Sequence, residues 1–291
     1  MPPASGPRRK RAATTSSRRI LGIDFSGAVD AGRKIWIAEA RHDLGKPDQP
    51  LKIDSCLPAS DLPGSGTGPE IAIAALARYI TLDQSTVAGC DFPFGLPEVL
   101  VDAASWEDFI AQFPLRFPHH ESYRDDNRQR TQLLEIRRHT DRIAATPFNS
   151  YNLRLYRQAW WGMARLLHPL VTAGVAIVAP QMSVVGLKPT IIEVCAACSL
   201  KHLNCYPAYK GRGKLHRKAR QRILDYLIAL HLLEPPAPAL RRLLLDNAGG
   251  DALDAVIGAV ATAQADLAAP VDPLYRLEGR VFFELHQAAI R

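Results

Sequence analysis

The sequence predicts an α/β protein, in which a mixed β-sheet is flanked by helices and carries a helical insertion after its fourth strand. Two observations lead to this fold class. Short β-rich runs surround one helical segment in the first third of the chain, and strand character returns only after a long arginine-rich helical stretch. The 291 residues and the 47% hydrophobic content suffice for a buried core.

Four strands and one helix are predicted in the first part of the chain. They are strands at 20–25, 34–40 and 51–57, a helix at 69–80 with proline in its first turn, and a strand from 86 to Asp91. Three strands, a helix and a fourth strand form the opening of the ribonuclease H-like fold, in which the first three strands are antiparallel neighbours. We therefore expect a ribonuclease H-like mixed sheet.

The remainder of the chain predicts an insertion and then the rest of the sheet. Residues 98–170 are helical and rich in arginine, and we interpret them as an insertion packed on a single domain that spans 20–291. The later predicted elements are strands at 175–180 and 190–196, helices at about 214–233 and from Gly250, and a last strand or short helix at 281–285.

The net charge of +7 is concentrated in the N-terminal segment. Residues 1–19 carry six basic side chains and no acidic one, which leaves about +1 for the rest of the chain. A basic segment rich in proline, serine and threonine buries too little apolar surface to fold, so we predict a disordered tail over 1–19. Such a tail can bind phosphates, serve in targeting or remain an inert extension.

The five cysteines and the hydropathy favour a cytoplasmic location without a membrane span. No apolar run is long enough for a transmembrane helix, and the cysteines suit a reducing compartment better than a disulfide framework. One alternative for the cysteines is a zinc site, because Cys195, Cys198, His202 and Cys205 are spaced almost like a zinc knuckle. The shortened gaps and the strand position of Cys195 argue against zinc.

Two aspartates end predicted strands that should be neighbours. Asp24 closes the first strand and Asp91 the fourth, and carboxyl ends of adjacent parallel strands lie about 4.8 Å apart. Two carboxylates at that spacing can share a Mg²⁺ or Mn²⁺ ion, which activates water and stabilises the leaving oxygen in phosphodiester hydrolysis. Taken singly, each aspartate is better explained by a turn that closes a strand.

Three further acids are candidates for the same site. Asp251 and Asp254 are three residues apart and share one face of the predicted last helix, although helix capping alone accounts for two acids in a first turn. Glu193 interrupts an apolar strand, where an unpaired acid is costly to bury. It needs a partner, a metal or an outward position, and we favour the metal site or its surroundings.

Six segments in order resemble a known family. GIDFSG, CDFPFGLP, TPFNSYNLRLYRQAWWGM, IIEVCAACSLK, YKGR and GDALDAVIGAVATA resemble a predicted ribonuclease H-like nuclease family long catalogued as a domain of unknown function. The last segment is also similar to the final helix of Holliday-junction resolvases. The resemblance implies a nuclease whose Mg²⁺ or Mn²⁺ ligands are Asp24, Asp91, Asp251 and Asp254, with Glu193 as a further catalytic acid. The alanine after Cys195 departs from the family pattern.

A basic segment could contact nucleic acid, and two other functions remain open. Residues 209–222 hold seven lysines and arginines without an acid, and from them we predict phosphate contacts by Lys210, Arg212 and Lys214. The first alternative is an ATP-binding protein of the actin and sugar-kinase type, because GIDFSG also looks like its first phosphate loop. The second is a non-catalytic phosphate-binding module.

Overall fold

A seven-stranded mixed sheet forms the centre of the protein. The computed structural model describes residues 17–46 and 48–286. The strands are β1 (Ser17–Asp24), β2 (Trp36–Asp43), β3 (Ile53–Pro58), β4 (Thr86–Asp91), β5 (Ile177–Ala179), β6 (Thr190–Val194) and β7 (Val281–Phe282). Their order is β3-β2-β1-β4-β6-β5, and β7 also pairs with β6. β2 is antiparallel to both β1 and β3, whereas the other pairs are parallel.

Helices pack on both faces of this sheet. They are α1 (Ala31–Lys34), α2 (Pro69–Ile80), α3 (Trp106–Arg116), α4 (His120–Arg130), α5 (His139–Ile143), α6 (Tyr156–Trp161), α7 (His168–Thr172), α8 (Ala196–His202), α9 (Lys214–Ala229), α10 (Pro238–Asp246), α11 (Asp251–Gln264) and α12 (Pro273–Glu278). A π-helical stretch, Gly162–Leu167, joins α6 to α7. The predicted α/β class with a mixed sheet flanked by helices is confirmed.

Alternating side chains of β1 divide the core into two parts. Leu21 and Ile23 face a core that includes residues of α2, α3 and α6, whereas Ile20 faces a second core built with α9, α10 and α11. A strand places successive side chains on opposite faces, so a strand buried on both sides reads as a continuous apolar run. That is why β1 appears in the sequence without polar alternation.

The first strand begins earlier than the sequence predicts. We expected the disordered tail to include Arg19, but β1 starts at Ser17 and pairs with β2 as far as Asp43. Arg19 is buried, and its guanidinium bonds both carboxylate oxygens of Glu39 and the carbonyl of Tyr79. The end of the predicted tail is therefore wrong, because an ion pair with the neighbouring strand extends the sheet. Residues 1–16 of that tail lie outside the described residues.

Helix α11 crosses the sheet in direct contact with the backbone of β1. A Cβ atom on Gly22 would lie 2.0 Å from the backbone nitrogen of Ala259 and 2.1 Å from the carbonyl oxygen of Ala255. No side chain fits in that space, so glycine at this position lets the helix approach closely. This contact fixes the first turn of α11 near the carboxyl end of β1, where Asp24 lies.

Helices α3 to α7 lie between β4 and β5 in the chain, where the insertion was predicted. The aromatic side chains Tyr151, Tyr156 and Trp160 of this insertion are buried in the core. Among the described residues, no helix is both long and apolar enough to cross a membrane.

Two of the cysteines are bonded to each other. Cys195 and Cys198 form a disulfide at the start of α8, a local bridge that the sequence analysis did not expect. Cys56, Cys90 and Cys205 are free. The bridge joins two of the four residues that were considered as zinc ligands.

Candidate carboxylate site

Two aspartates face each other at the carboxyl ends of neighbouring parallel strands. Asp24 is the last residue of β1, Asp91 is the last residue of β4, and the strand register pairs them directly. Pro93 lacks a backbone donor and follows closely, so the β4 ladder ends at this point. Neighbouring strands are about 4.8 Å apart, and the two carboxylates therefore begin from adjacent positions on one sheet edge.

Helix α11 brings the two further predicted aspartates to the same edge. Asp254 is only 4% exposed, and Asp251, three residues earlier in the same first turn, is partly buried. The helix is capped by Gly250, whose φ of 82° is left-handed, and no side chain makes a cap hydrogen bond there. Side-chain capping therefore does not account for Asp251 and Asp254, although both lie in the first turn, where the helix dipole favours acids.

A tyrosine and a lysine bind the two oxygens of Asp254. Tyr209 donates its hydroxyl to Oδ1 at 2.6 Å, and the Nζ of Lys210 lies 2.7 Å from Oδ2. Tyr209 is buried, whereas the Lys210 side chain is about half exposed. Lys210 was predicted as a phosphate contact, and the structure shows that it is also the counter-ion of the carboxylates.

Arg220 fixes the backbone of the segment that carries Tyr209 and Lys210. Its guanidinium donates to the carbonyl oxygens of Tyr209 at 2.6 Å, Gly211 at 3.0 Å and Leu245 at 2.9 Å. Buried polar groups need such partners, and three carbonyls meet this requirement for the arginine. One cation of the basic segment therefore holds the loop rather than facing solvent.

Burial raises the pKa values of the four aspartates, and repulsion from Asp254 adds to this rise for the other three. Burial and the charge of Asp254 raise the pKa of Asp91 to about 7. The same two causes raise the pKa of Asp24 well above its usual range, and burial raises the pKa of Asp251 and Asp254. Burial by itself lowers the pKa of Lys210, but the attraction of Asp254 and Asp24 outweighs it, so the ammonium stays charged.

The insertion packs against both strand ends. Gln158 in α6 donates its side-chain amide to the backbone carbonyl of Asp91. A Cβ on Gly27, three residues after Asp24, would lie 2.6 Å from the carbonyl carbon of Arg157. The first turn of α6 therefore borders the site, and the backbone amide of Ala196 borders it from α8, donating to Asp91 Oδ2 at 3.2 Å.

Glu193 does not join the carboxylate cluster, and the preference for a metal site is corrected here. Arg138 donates to Oε1 at 2.6 Å and to Oε2 at 2.8 Å, and the amide of Phe94 also donates to Oε2. Arg138 bonds both oxygens of Asp141 as well. The acid is buried because an arginine from the insertion neutralises it, which was the partner explanation left open above.

The remaining predicted residues lie on the surface beside the cluster. Arg212 and Lys214 are exposed, at the loop before α9 and at its first residue. An ATP-binding protein of the actin and sugar-kinase type would need a second glycine-rich phosphate loop, and Gly249 and Gly250, which lie before α11, pack against neighbouring side chains. A Cβ on Gly250 would be 2.9 Å from the ring of Tyr209, which leaves little room for a phosphate there.

For several residues of this region, the sequence did not indicate which partner they bind. Tyr209, Arg138 and Gln158 act through partners that are 45, 55 and 67 residues away in the chain. Only Glu193 hinted at one of them, since a buried acid requires a buried cation.

The carboxylates do not form a finished metal cage. In the part of the chain that the structure describes, no three histidine, cysteine, aspartate or glutamate side chains already converge as metal ligands. Lys210 lies against Asp254 instead. An ion at this site would have to take the place of the ammonium group.

Comparison with protein-family models, with characterised proteins and with solved structures finds no match for this chain.

Proposed function

We propose that the protein is a metal-dependent nuclease of the ribonuclease H-like fold. The observation that carries the proposal is the direct pairing of Asp24 with Asp91 at the ends of β1 and β4, with Asp254 brought to the same edge by α11. Three antiparallel strands followed by a fourth parallel to the first agree with the sheet expected for that fold. The resemblance of the sequence motifs supports the same proposal.

The donor set fits a hard divalent cation. Carboxylate oxygens are the ligands that Mg²⁺ and Mn²⁺ prefer. Burial raises the pKa of Asp24, Asp91 and Asp254, and the charge of Asp254 raises the pKa of Asp24 and Asp91 further, so a bound cation would favour the ionised carboxylates. Asp24, Asp91 and Asp254 would hold the ions, and Asp251 would be a further ligand. Bound ions would supply an activated water and stabilise charge on the leaving oxygen.

The neighbouring residues have separate tasks in this proposal. Tyr209 holds Oδ1 of Asp254 and so orients Oδ2 toward the site. Lys210, freed from Asp254, would neutralise a substrate phosphate, and the exposed Arg212 and Lys214 would contact the backbone further along. Phosphate contacts of this kind position nucleic acid without reading its sequence.

The deciding experiment is cleavage of a labelled panel with Mg²⁺ or Mn²⁺. The panel contains single strands, duplexes, RNA–DNA hybrids and four-way junctions. We expect the protein to cleave at least one of them and Asp24→Asn to abolish cleavage with the fold intact. Asp54→Asn, on the exposed side of β3, is the matched control and should retain activity. Undiminished cleavage by Asp24→Asn would refute the proposal, and no cleavage by either protein would favour nucleotide binding, with ATP tested next.

A further inference from the structure

An exposed tyrosine lies next to the carboxylate site. Tyr206 is 48% exposed, in the loop between α8 and α9, and its ring centroid is 6.2 Å from that of Tyr209. Tyr209 in turn bonds Asp254 through its hydroxyl, so one ring separates Tyr206 from a proposed metal ligand. A single exposed apolar side chain is ordinary on a protein surface, and its surroundings therefore decide whether it marks a site.

Lysine side chains accompany both of these rings. The Nζ of Lys201 lies 5.7 Å from the ring centroid of Tyr206, and the Nζ of Lys210 lies 5.8 Å from that of Tyr209. The ammonium of Lys201 also donates to the carbonyl oxygen of Ala145 at 2.8 Å, which holds it beside the ring. An ammonium group has three donors, so Lys201 can still bind an anion.

The chain around Tyr206 is positively charged. Residues 195–224 contain eight lysines and arginines and no aspartate or glutamate. One of these cations, Arg222, acts on Cys205, the residue before Tyr206. Burial raises the pKa of the Cys205 thiol, and the positive charge of Arg222 opposes that rise. An exposed aromatic ring therefore lies within a basic surface that borders the aspartates.

This combination has the chemistry of a site for single-stranded nucleic acid. Proteins that bind single strands combine basic side chains, which contact the phosphates, with aromatic side chains on which bases stack. A regular duplex keeps its base faces stacked on one another, so only an unpaired base can reach a ring on the protein surface. Every base has a face that can stack, so a ring on the open surface would accept pyrimidines and purines alike.

We propose that Tyr206 stacks on an unpaired base of the nucleic acid whose phosphodiester the aspartates hydrolyse. The inference rests on the proposed nuclease function and names its substrate class, which is single strands and the unpaired parts of loops or junctions. Lys201 and Lys210 supply positive charge for the phosphates on either side of that base.

The test measures binding without metal, by fluorescence anisotropy in EDTA at one fixed salt concentration, with the full-length protein. The probes are a single strand, a strand of the same length made of abasic sites, and a duplex. We expect Tyr206→Ala to weaken binding of the intact single strand at least about fivefold, because stacking contributes about 1–3 kcal/mol per base. The abasic strand and the duplex have no free base face, so their binding should not change. Tyr206→Phe, which keeps the ring, is the matched control and should bind the intact strand like the wild type.

The two proposals fail in different ways. Failure of the wild type to bind the single strand, unchanged binding by Tyr206→Ala, or an equal loss on intact and abasic strands would overturn the stacking site. If cleavage of the substrate panel persisted in that case, the nuclease would stand without it. Base-dependent binding that requires the Tyr206 ring, in a protein that cleaves nothing, would support the stacking site and remove the nuclease.

Discussion

Replacing Asp91 with asparagine should make the metal-free protein more stable. Burial and Asp254 raise the pKa of Asp91 from 3.8 to about 7. Each factor of ten in proton affinity corresponds to about 1.4 kcal/mol, so ionising this buried acid in the folded protein costs about 4 kcal/mol. The amide in Asp91→Asn is neutral, and its carbonyl oxygen can still accept the hydrogen bond from Ala196.

The sign of the pH dependence follows from the raised pKa. Between pH 3.8 and about 7 the folded protein binds the Asp91 proton and the unfolded chain does not, so the free energy of unfolding falls as the pH rises. Above about pH 7 Asp91 is ionised in the folded protein as well, and the full cost of ionising it there remains. We therefore expect Asp91→Asn to exceed the wild type by up to about 4 kcal/mol at about pH 8, and to match it at low pH.

Urea unfolding in EDTA at several pH values measures this difference. Asp54→Asn is the control, because its side chain is exposed and its substitution should leave the curve unchanged. Added Mn²⁺ should stabilise the wild type more than Asp91→Asn, since a ligand stabilises only the state that binds it. The reasoning is refuted if Asp91→Asn is no more stable than the wild type at alkaline pH without metal.

Three other substitutions test the packing and the charges. Arg138→Met leaves two buried carboxylates without a cation, so we expect a loss of about 3–5 kcal/mol in urea unfolding. Lys210→Met removes the ammonium that competes for Asp254, so calorimetry should show about tenfold tighter Mn²⁺ binding without nucleic acid. Gly22→Ala should destabilise by about 3 kcal/mol, whereas Gly68→Ala, with no atom within 4 Å of its Cβ, should change stability little.

Each of these has a contrary outcome. Arg138→Met with wild-type stability would mean that the Glu193 pair does not exist in solution. Unchanged or weaker Mn²⁺ binding by Lys210→Met would show that the ammonium and the ion do not compete. Equal effects of the two glycine substitutions would contradict the close contact between β1 and α11.

The local pattern of the sequence determined much of the sheet and the four aspartates of the site, but not the residues that bind them. Apolar runs that end in Asp24 and Asp91 identified two strands and their carboxyl ends, and the helix predicted from Gly250 carried Asp251 and Asp254 on one face. Strand and helix periods are properties of neighbouring residues, so they can be read without knowing the fold. That β1 and β4 are adjacent followed from the expected fold, and the register confirms it.

Only the tertiary structure decided which charges meet. Arg138 reaches Glu193 across 55 residues, and Tyr209 reaches Asp254 across 45. Arg19 was assigned to the tail from composition, yet an ion pair with Glu39 includes it in the sheet. The energy of a buried ion pair depends on the distance between the charges and on the exclusion of water, and the complete fold creates both. Such partners are distant in sequence and follow no period, so the local sequence does not predict them.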